Sequence, residues 1–258
     1  MLKLLSVSDD AWSMEKFHNN ADQIRDFLKQ NNLDGLELVR CMEEQAQAVP
    51  AEKIVGRHMP FWPVWLDFWR GNQTELLRQF GTEVNYRGYY CTDTVEQFIN
   101  NRRAELADGT AMGIRYAVFH VCHVQFEHCY TGKYTYTDEE IVDEYIDMMN
   151  EVLRGICADY ELLFENHWFP GLTFLKPKLA MRILERVNHS NKGFVLDISH
   201  LTNTNPNIRN EAEALEYIKG VLEGMGEAAK YIRTIHMNSS AGAMATVLNQ
   251  KGAYRQDD

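Results

Sequence analysis

Seven short runs of apolar, β-branched and aromatic residues alternate with longer segments whose apolar residues recur at helical spacing. The runs cover residues 2–7, 35–39, 53–59, 115–121, 161–166, 193–199 and 232–238. Runs of this kind are typical of buried parallel strands, and their alternation with helices indicates βαβ units. The pattern therefore predicts an α/β fold of the β/α-barrel type. An eighth strand is not evident, and residues 246–248 are a weak candidate for it.

Capping residues and apolar spacing place helices between these strands. Thr137 and Glu140 form a capping-box pair before one helix, and Pro177 suits the first turn of another. The other predicted helices cover residues 17–28, 73–79, 93–106 and 210–229. In the last of them the predicted buried residues are Ala214, Leu215, Ile218, Leu222 and Met225.

The segment that follows the third strand, residues 60–113, is too long for a simple loop. Its first part, around residues 60–92, is rich in Trp, Tyr and Phe. Two interpretations stay open: an aromatic lid over a site, and an insertion packed on the barrel rim.

Composition narrows the class of partner. A formal net charge of −11 and a pI near 5.3 argue against binding of long nucleic acid, which favours a basic surface. No window of about eighteen residues is continuously apolar, so no membrane span is expected. Five cysteines without a CxxC pair or a signal-like leader indicate reduced thiols in a cytoplasmic protein. A small-molecule substrate is expected.

Five of the runs end in a side chain that can bind a metal ion, namely His58, His120, Glu165, Asp197 and His236. Taken singly, each has a structural explanation, because histidines are often hydrogen-bonded core residues and an acid after a strand often caps a helix. Independent helix caps, however, have no reason to favour histidine at three strand ends. The set therefore predicts a centre for zinc, manganese or iron at the mouth of the barrel.

The ordered elements DGLEL, RHMPF, FHV, FENHW, DISH and IHMN resemble the xylose isomerase-like TIM-barrel superfamily. That superfamily contains apurinic endonuclease family 2 and the sugar phosphate isomerases and epimerases. The resemblance spans residues 4–238 and implies a single TIM (β/α)8-type domain over residues 1–258, with the aromatic segment as an insertion after β3.

The resemblance to the endonuclease branch also implies ligand sets. His58, His120 and Glu165 would hold one ion, while Glu165, Asp197 and His236 would hold a second. His200, in the Asp-x-x-His motif, would belong to a third. The chain departs from this pattern after His236, where the Asp-x-His pair and the eighth-strand glutamate are not visible. One or two Zn²⁺ or Mn²⁺ ions are therefore expected, with His200 as a catalytic or substrate-binding group.

Further residues near the strand ends are predicted to contact substrate: Trp62, His123, His167, Trp168 and Asn238. Rim packing is the alternative for the aromatic rings, and a loop without function is the alternative for His123. The arginines around the insertion could bind a phosphate or carboxylate, or could be ordinary surface residues; they are Arg57, Arg70, Arg78 and Arg87.

Three functional hypotheses follow. The first is a metal-dependent phosphoesterase, in which a metal-activated water attacks phosphorus and Glu165 bridges the ions. The second is a sugar or sugar phosphate isomerase or epimerase, in which Glu165 is a ligand or a base and an acid partner lies beyond Asn238. The third is a barrel that binds a ligand without turnover. In each, the substrate is small and either polyhydroxylated or phosphorylated.

Overall fold

Seven parallel strands form one sheet in which each strand pairs with its neighbours in chain order. The computed structural model describes residues 1–40 and 48–238. Its strands are β1 (Leu4–Ser8), β2 (Gly35–Val39), β3 (Ile54–His58), β4 (Tyr116–His120), β5 (Glu161–Glu165), β6 (Lys192–Asp197) and β7 (Ile232–His236). All seven predicted strands are confirmed, and the fold is of the TIM-barrel type, with no eighth strand evident within residues 1–40 and 48–238. The weak candidate at 246–248 lies outside the described residues.

Eleven α-helices accompany these strands in the described part of the chain. They are α1 (Ala11–Glu15), α2 (Ala21–Gln30), α3 (Leu66–Trp69), α4 (Gln73–Phe80), α5 (Glu83–Tyr90), α6 (Val95–Met112), α7 (Phe126–Thr131), α8 (Asp138–Leu153), α9 (Pro177–Arg186), α10 (Ile198–Thr202) and α11 (Glu211–Met225). Short 3₁₀ turns occupy Ala51–Lys53 and Gly226–Tyr231. The six predicted helices are present. The other five were not predicted, and α1, α3, α7 and α10, of four to six residues, have too few turns to show a period.

Two local predictions need correction. The Thr137 hydroxyl accepts from the Glu140 amide at 3.2 Å, but the Glu140 carboxylate binds Arg70 instead of completing the capping box. On α11, Leu215 is 52% exposed, and the only fully buried residue of the predicted face is Met225. A helix buries only the length that its neighbours cover, and α11 packs mainly on α10 and the 3₁₀ turn that follows it.

Alternation along the strands decides which side chains enter the barrel, because successive residues point to opposite faces of a sheet. On β5, Leu162 and Phe164 join the large core under the outer helices, while Leu163 packs in an inner cluster with Tyr116, Val118 and Val195. Glu165, two residues after Leu163, therefore points inward as well. The polar ends of the other strands follow the same parity.

Contacts between strands that are not neighbours show how strongly the sheet curls. His236 on β7 lies 2.9 Å from the carboxylate of Glu37 on β2, which also accepts a 2.8 Å hydrogen bond from Tyr116 on β4. Gly56 on β3 makes room for this arrangement, since a Cβ there would stand 2.2 Å from the Tyr116 ring. The interior of the barrel is thus filled up to the level of the strand ends.

The aromatic insertion forms its own small core on the barrel rim. Phe68 stacks on Tyr90 with ring centroids 4.2 Å apart, and the Trp65 indole donates to the Cys122 carbonyl at 2.7 Å. Beneath them, the fully buried carboxylate of Asp67 accepts from Tyr136 at 2.7 Å and from Gln125 at 2.8 Å. Of the two interpretations, these contacts favour an insertion packed on the rim.

None of the helices among the described residues is long and apolar enough to cross a membrane.

Substituting alanine for Gly56 should destabilise the fold by roughly 1–3 kcal/mol, because the new methyl group overlaps a buried ring that is tied to Glu37. Urea denaturation of the purified variant measures the change. Gly88→Ala on the exposed side of α5, where nothing lies within 4 Å, is the matched control and should be neutral or stabilising by about 0.5–1 kcal/mol. Equal stability of Gly56→Ala and wild type would contradict this account of the barrel interior.

Candidate metal centre

The carboxylate of Glu165 lies at the point where the polar strand ends converge. Four imidazoles surround it: His58 Nε2 and His120 Nε2 lie 3.2 and 3.3 Å from Oε2, and His236 Nδ1 and His200 Nδ1 lie 3.1 and 3.4 Å from Oε1. Glu165 itself is 1% exposed. The structure thus brings together the strand-end residues of β3, β4, β5 and β7 with the histidine of α10.

Burial and the short distances between these groups shift their pKa values. Burial alone would raise the pKa of Glu165, but hydrogen bonds from His236 and His58 hold that pKa far below its usual range. Burial lowers the pKa of His120 to about 3, against the attraction of Glu165. Burial also opposes charge on His236, yet its two carboxylate partners, Glu165 and Glu37, raise its pKa to about 10. The centre therefore holds an ionised carboxylate among imidazoles of mixed charge.

The donor set fits a divalent cation. One ligand atom each from His58, Glu165 and His236 lie within 4.8 Å of one another, and the same is true of Glu165, Asp197 and His200. His58 Nδ1 lies 3.2 Å from the Met59 carbonyl and Nε2 lies 3.2 Å from Glu165, so a proton held on Nδ1 by the carbonyl would leave the Nε2 lone pair for a cation in place of the hydrogen bond to Glu165. Fixing the outer nitrogen through a carbonyl is how proteins orient a histidine ligand. Imidazole and carboxylate together suit zinc, manganese or iron.

Asp197 caps a helix and also lies at the centre, where its carboxylate is available to a cation. Its Oδ1 caps α10 by accepting from the His200 amide at 2.7 Å, and its Oδ2 accepts from the Asn238 side chain at 2.9 Å. Asn166 bridges the backbone of Asp197 from β5, accepting at 2.8 Å and donating at 3.1 Å. A carboxylate has about four lone-pair positions, so the cap leaves capacity for a cation.

In His200, the ring nitrogen that faces Glu165 also makes a hydrogen bond to a backbone carbonyl. Its Nδ1 is 2.8 Å from the Asn166 carbonyl, which can only accept, so Nδ1 carries the proton. Nδ1 is the atom near Glu165 and Asp197, and it could bind a metal only if it lost both this proton and its hydrogen bond to the Asn166 carbonyl. The hydrogen bond therefore favours His200 as a substrate-binding or proton-transfer group over a ligand.

An aromatic wall closes one side of the centre. The ring of His167 stacks on Trp168 with centroids 4.0 Å apart, and Trp168 lies 5.0 Å from His200. Phe61, the third residue after β3, lies 4.4 Å from His120 and 5.9 Å from His167. Aromatic faces beside polar groups are common in pockets for small polar ligands.

Comparison with known proteins identifies the family. The family described as xylose isomerase-like TIM barrel matches residues 72–251. This chain belongs to that family. No curated protein sequence matches the chain significantly.

Three solved structures of similar fold place this xylose isomerase-like chain among known barrels. A D-tagatose 3-epimerase-like protein has a TM-score of 0.51 and 16% identity, over 92% of this chain and 76% of the other. The IOLI protein with a binding zinc atom has a TM-score of 0.50 and 13% identity, over 97% and 96%. The AsfvAP:AG structure has a TM-score of 0.52 and 13% identity, over 93% and 74%. At these identities the likeness establishes the fold.

Glu37 is the residue of this xylose isomerase-like centre that the sequence analysis misses. It is 3% exposed, and burial would raise its pKa, but the hydrogen bond from His236 lowers it. Its contact with His236 Nε2 leaves Nδ1 directed at Glu165, which is the carboxylate–histidine arrangement that orients metal ligands. The sequence signal was available, since Glu37 is the one charged residue within the apolar run 35–39.

Two residues predicted to contact substrate do not reach the cluster. His123 is buried under the insertion, where its Nδ1 accepts from the Trp65 and Leu66 amides at 3.3 Å each. The Trp62 ring instead packs against the guanidinium of Arg102, 4.0 Å away, and lines a cavity of about 50 Å³ behind His120. His167, Trp168 and Asn238 do lie at the centre, as described above.

Substituting glutamine for Glu37 should weaken Zn²⁺ binding roughly 10- to 100-fold, because His236 loses the charge that fixes its orientation. Competition with a chromogenic chelator measures the affinity of the full-length protein. Glu83→Gln, which removes a carboxylate from a surface ion pair with Arg87, is the control and should bind Zn²⁺ as wild type does. If Glu37→Gln also binds as wild type does, Glu37 does not support the centre.

Proposed function

We propose that this protein is a divalent-metal-dependent isomerase or epimerase of a small, uncharged, polyhydroxylated sugar. The proposal departs from the leading sequence hypothesis of phosphoester hydrolysis. Membership of the xylose isomerase-like family and the similarity in fold to a D-tagatose 3-epimerase-like protein support it. The observation that carries it is that the arginines of the insertion and of its neighbouring elements are paired with carboxylates.

Those positive side chains are already neutralised by carboxylates. The pairs are Arg57 with Asp108 at 2.8 Å, Arg70 with Glu140 and Glu144 at 2.8 Å, Arg78 with Glu75 at 2.8 Å, Arg87 with Glu83 at 3.0 Å, and Arg102 with Glu105. In the described part of the chain, every ion pair of Glu165, Glu37 and Asp197 is with a histidine. A phosphate group would find no free guanidinium or ammonium group among these pairs.

The residues of the centre divide between holding the cation and binding the substrate. His58, Glu165 and His236 would hold the ion. Asp197 Oδ2 lies 3.8 Å from His236 Nδ1, and His120 Nε2 lies 3.3 Å from Glu165. When bound, a divalent ion would polarise adjacent hydroxyl and carbonyl oxygens of a sugar. This makes the hydrogen on the carbon next to the carbonyl more acidic. Glu165 acts as a ligand and not as a base, because imidazoles engage both of its oxygens and keep its pKa low.

His200 then transfers a proton to or from a hydroxyl oxygen of the substrate. Because Nδ1 donates to the Asn166 carbonyl, the free lone pair is on Nε2, which accepts the proton of a substrate hydroxyl. An isomerase or epimerase also needs a carboxylate that moves the proton at carbon; the sequence analysis expects this partner beyond Asn238, outside the described residues.

Solvent exchange tests the reaction type. With Mn²⁺ or Zn²⁺ added in parallel, incubation with aldoses and ketoses in D₂O should place deuterium on the carbon next to the carbonyl, as measured by NMR. Glu165→Gln should lower the exchange about 100-fold or more, because the cation loses its central ligand. Glu161→Gln, at the opposite end of β5 in a surface pair with Arg233, is the control and should exchange normally.

Other outcomes of the same assay have distinct meanings. Cleavage of p-nitrophenyl phosphate without exchange would identify a phosphoesterase and contradict the proposal. Tight sugar binding with neither exchange nor cleavage would identify a binding barrel and would contradict it equally.

A second measurement tests the class of substrate. The 6-phosphate of a ketose that undergoes exchange should have a KM no lower than that of the free ketose, because the nearby arginines already bind carboxylates. Steady-state exchange rates for the two sugars give the comparison. A KM more than about tenfold lower for the phosphate, equivalent to about 1.4 kcal/mol, would show that a cation is free to bind it.

A further inference from the structure

We infer that His167 is the specificity-determining residue that recognises one hydroxyl group of the substrate, donating from Nε2 to an oxygen whose own proton points to His200. The inference rests on the proposed function, since it concerns the substrate of the same site. It goes further by assigning a donor, an acceptor and the kind of group between them.

The tautomer of His167 is fixed by the backbone. The Phe169 amide donates to His167 Nδ1 at 3.2 Å, and an amide nitrogen can only donate. Nδ1 therefore has no proton, and the ring carries its hydrogen on Nε2. Among the described residues, no hydrogen-bond acceptor engages that Nε2–H. A donor is thus available to a group that enters the site.

The ring is also held in place. His167 is 4% exposed and lies against Trp168 at 4.0 Å with an interplanar angle of 23°, and against Phe169 at 5.0 Å and 21°. Stacking against two rings restricts rotation of the imidazole. The donor is therefore oriented before substrate binds, which reduces the entropic cost of recognition.

His200 supplies the matching acceptor. Its Nδ1–H donates to the Asn166 carbonyl, so its Nε2 has a lone pair. The two rings are 4.4 Å apart between centroids, and one nitrogen each from His120, His167 and His200 lie within 4.8 Å of one another. An oxygen that makes two hydrogen bonds of about 2.8 Å at a tetrahedral angle spans roughly 4.6 Å. A hydroxyl group, which accepts and donates at once, fits this pair.

A cation is the competing occupant for three neighbouring imidazoles. A metal ligand must present a lone pair, but the lone pair of His167 Nδ1 is taken by the Phe169 amide and Nε2 carries a proton. Binding a cation through His167 would require the ring to abandon that hydrogen bond. The hydrogen-bond pattern therefore favours the hydroxyl group over an additional metal ion.

The test uses the full-length, Zn²⁺-loaded protein with xylitol as an uncharged polyol probe. Long-range ¹H–¹⁵N NMR should show His167 as the Nε2–H tautomer, and xylitol should shift that resonance. His167→Phe, which keeps an aromatic ring in the stack but has no donor, should bind xylitol roughly 10- to 100-fold more weakly. His167→Gln, whose amide can donate, should recover most of the loss, while chelator competition should show Zn²⁺ affinity unchanged in both variants.

Several results would overturn the inference. These are an Nδ1–H tautomer, loss of the Nε2 proton when Zn²⁺ is added, no xylitol shift at saturation, or equal xylitol affinity in His167→Phe and wild type. Failure of the proposed function shows separately, as absence of deuterium exchange in a protein whose His167 still has the Nε2–H tautomer and still responds to xylitol.

Discussion

The structure of the centre depends on the buried carboxylate of Glu165 and the four imidazoles placed around it. A single buried charge is costly, so each oxygen of the carboxylate must be compensated, and here the partners come from β3, β4, β7 and α10. Because these elements are far apart in sequence, the carboxylate can be satisfied only when the sheet has curled. The barrel and the site are therefore two consequences of the same set of contacts.

A series of close contacts inside the barrel connects Glu165 with residues deeper in the strands. Gly56 admits the ring of Tyr116, the Tyr116 hydroxyl binds Glu37, and Glu37 in turn holds His236 against Glu165. Each step is a close contact in a filled space, so none of the four groups can shift alone. A glycine with no chemistry of its own thus helps to orient an imidazole at the mouth of the barrel.

The strands and the strand-end residues could be predicted from sequence because burial imposes a local apolar signal that a final polar residue interrupts. Glu37 was missed because it lies inside such a run, and its partner His236 is 199 positions away. His123 was assigned to the site by its proximity in sequence to His120, but after Val121 the chain pairs with residues 170–172 and His123 lies under the insertion. Long-range pairing is a property that no local pattern contains.

The distribution of charge connects the cation with the nature of the substrate. The chain carries a net charge of −11, and the arginines of the insertion are paired with acidic residues of the insertion itself and of α8. Under the proposed function, positive charge at the strand ends would come from a bound ion and from imidazoles, which are short-range partners for hydroxyl and carbonyl oxygens. An anionic substrate would have to approach a strongly acidic surface without a guanidinium to receive it, whereas a neutral polyol avoids that repulsion. The same ion pairs that stabilise the rim thereby favour an uncharged sugar at the centre.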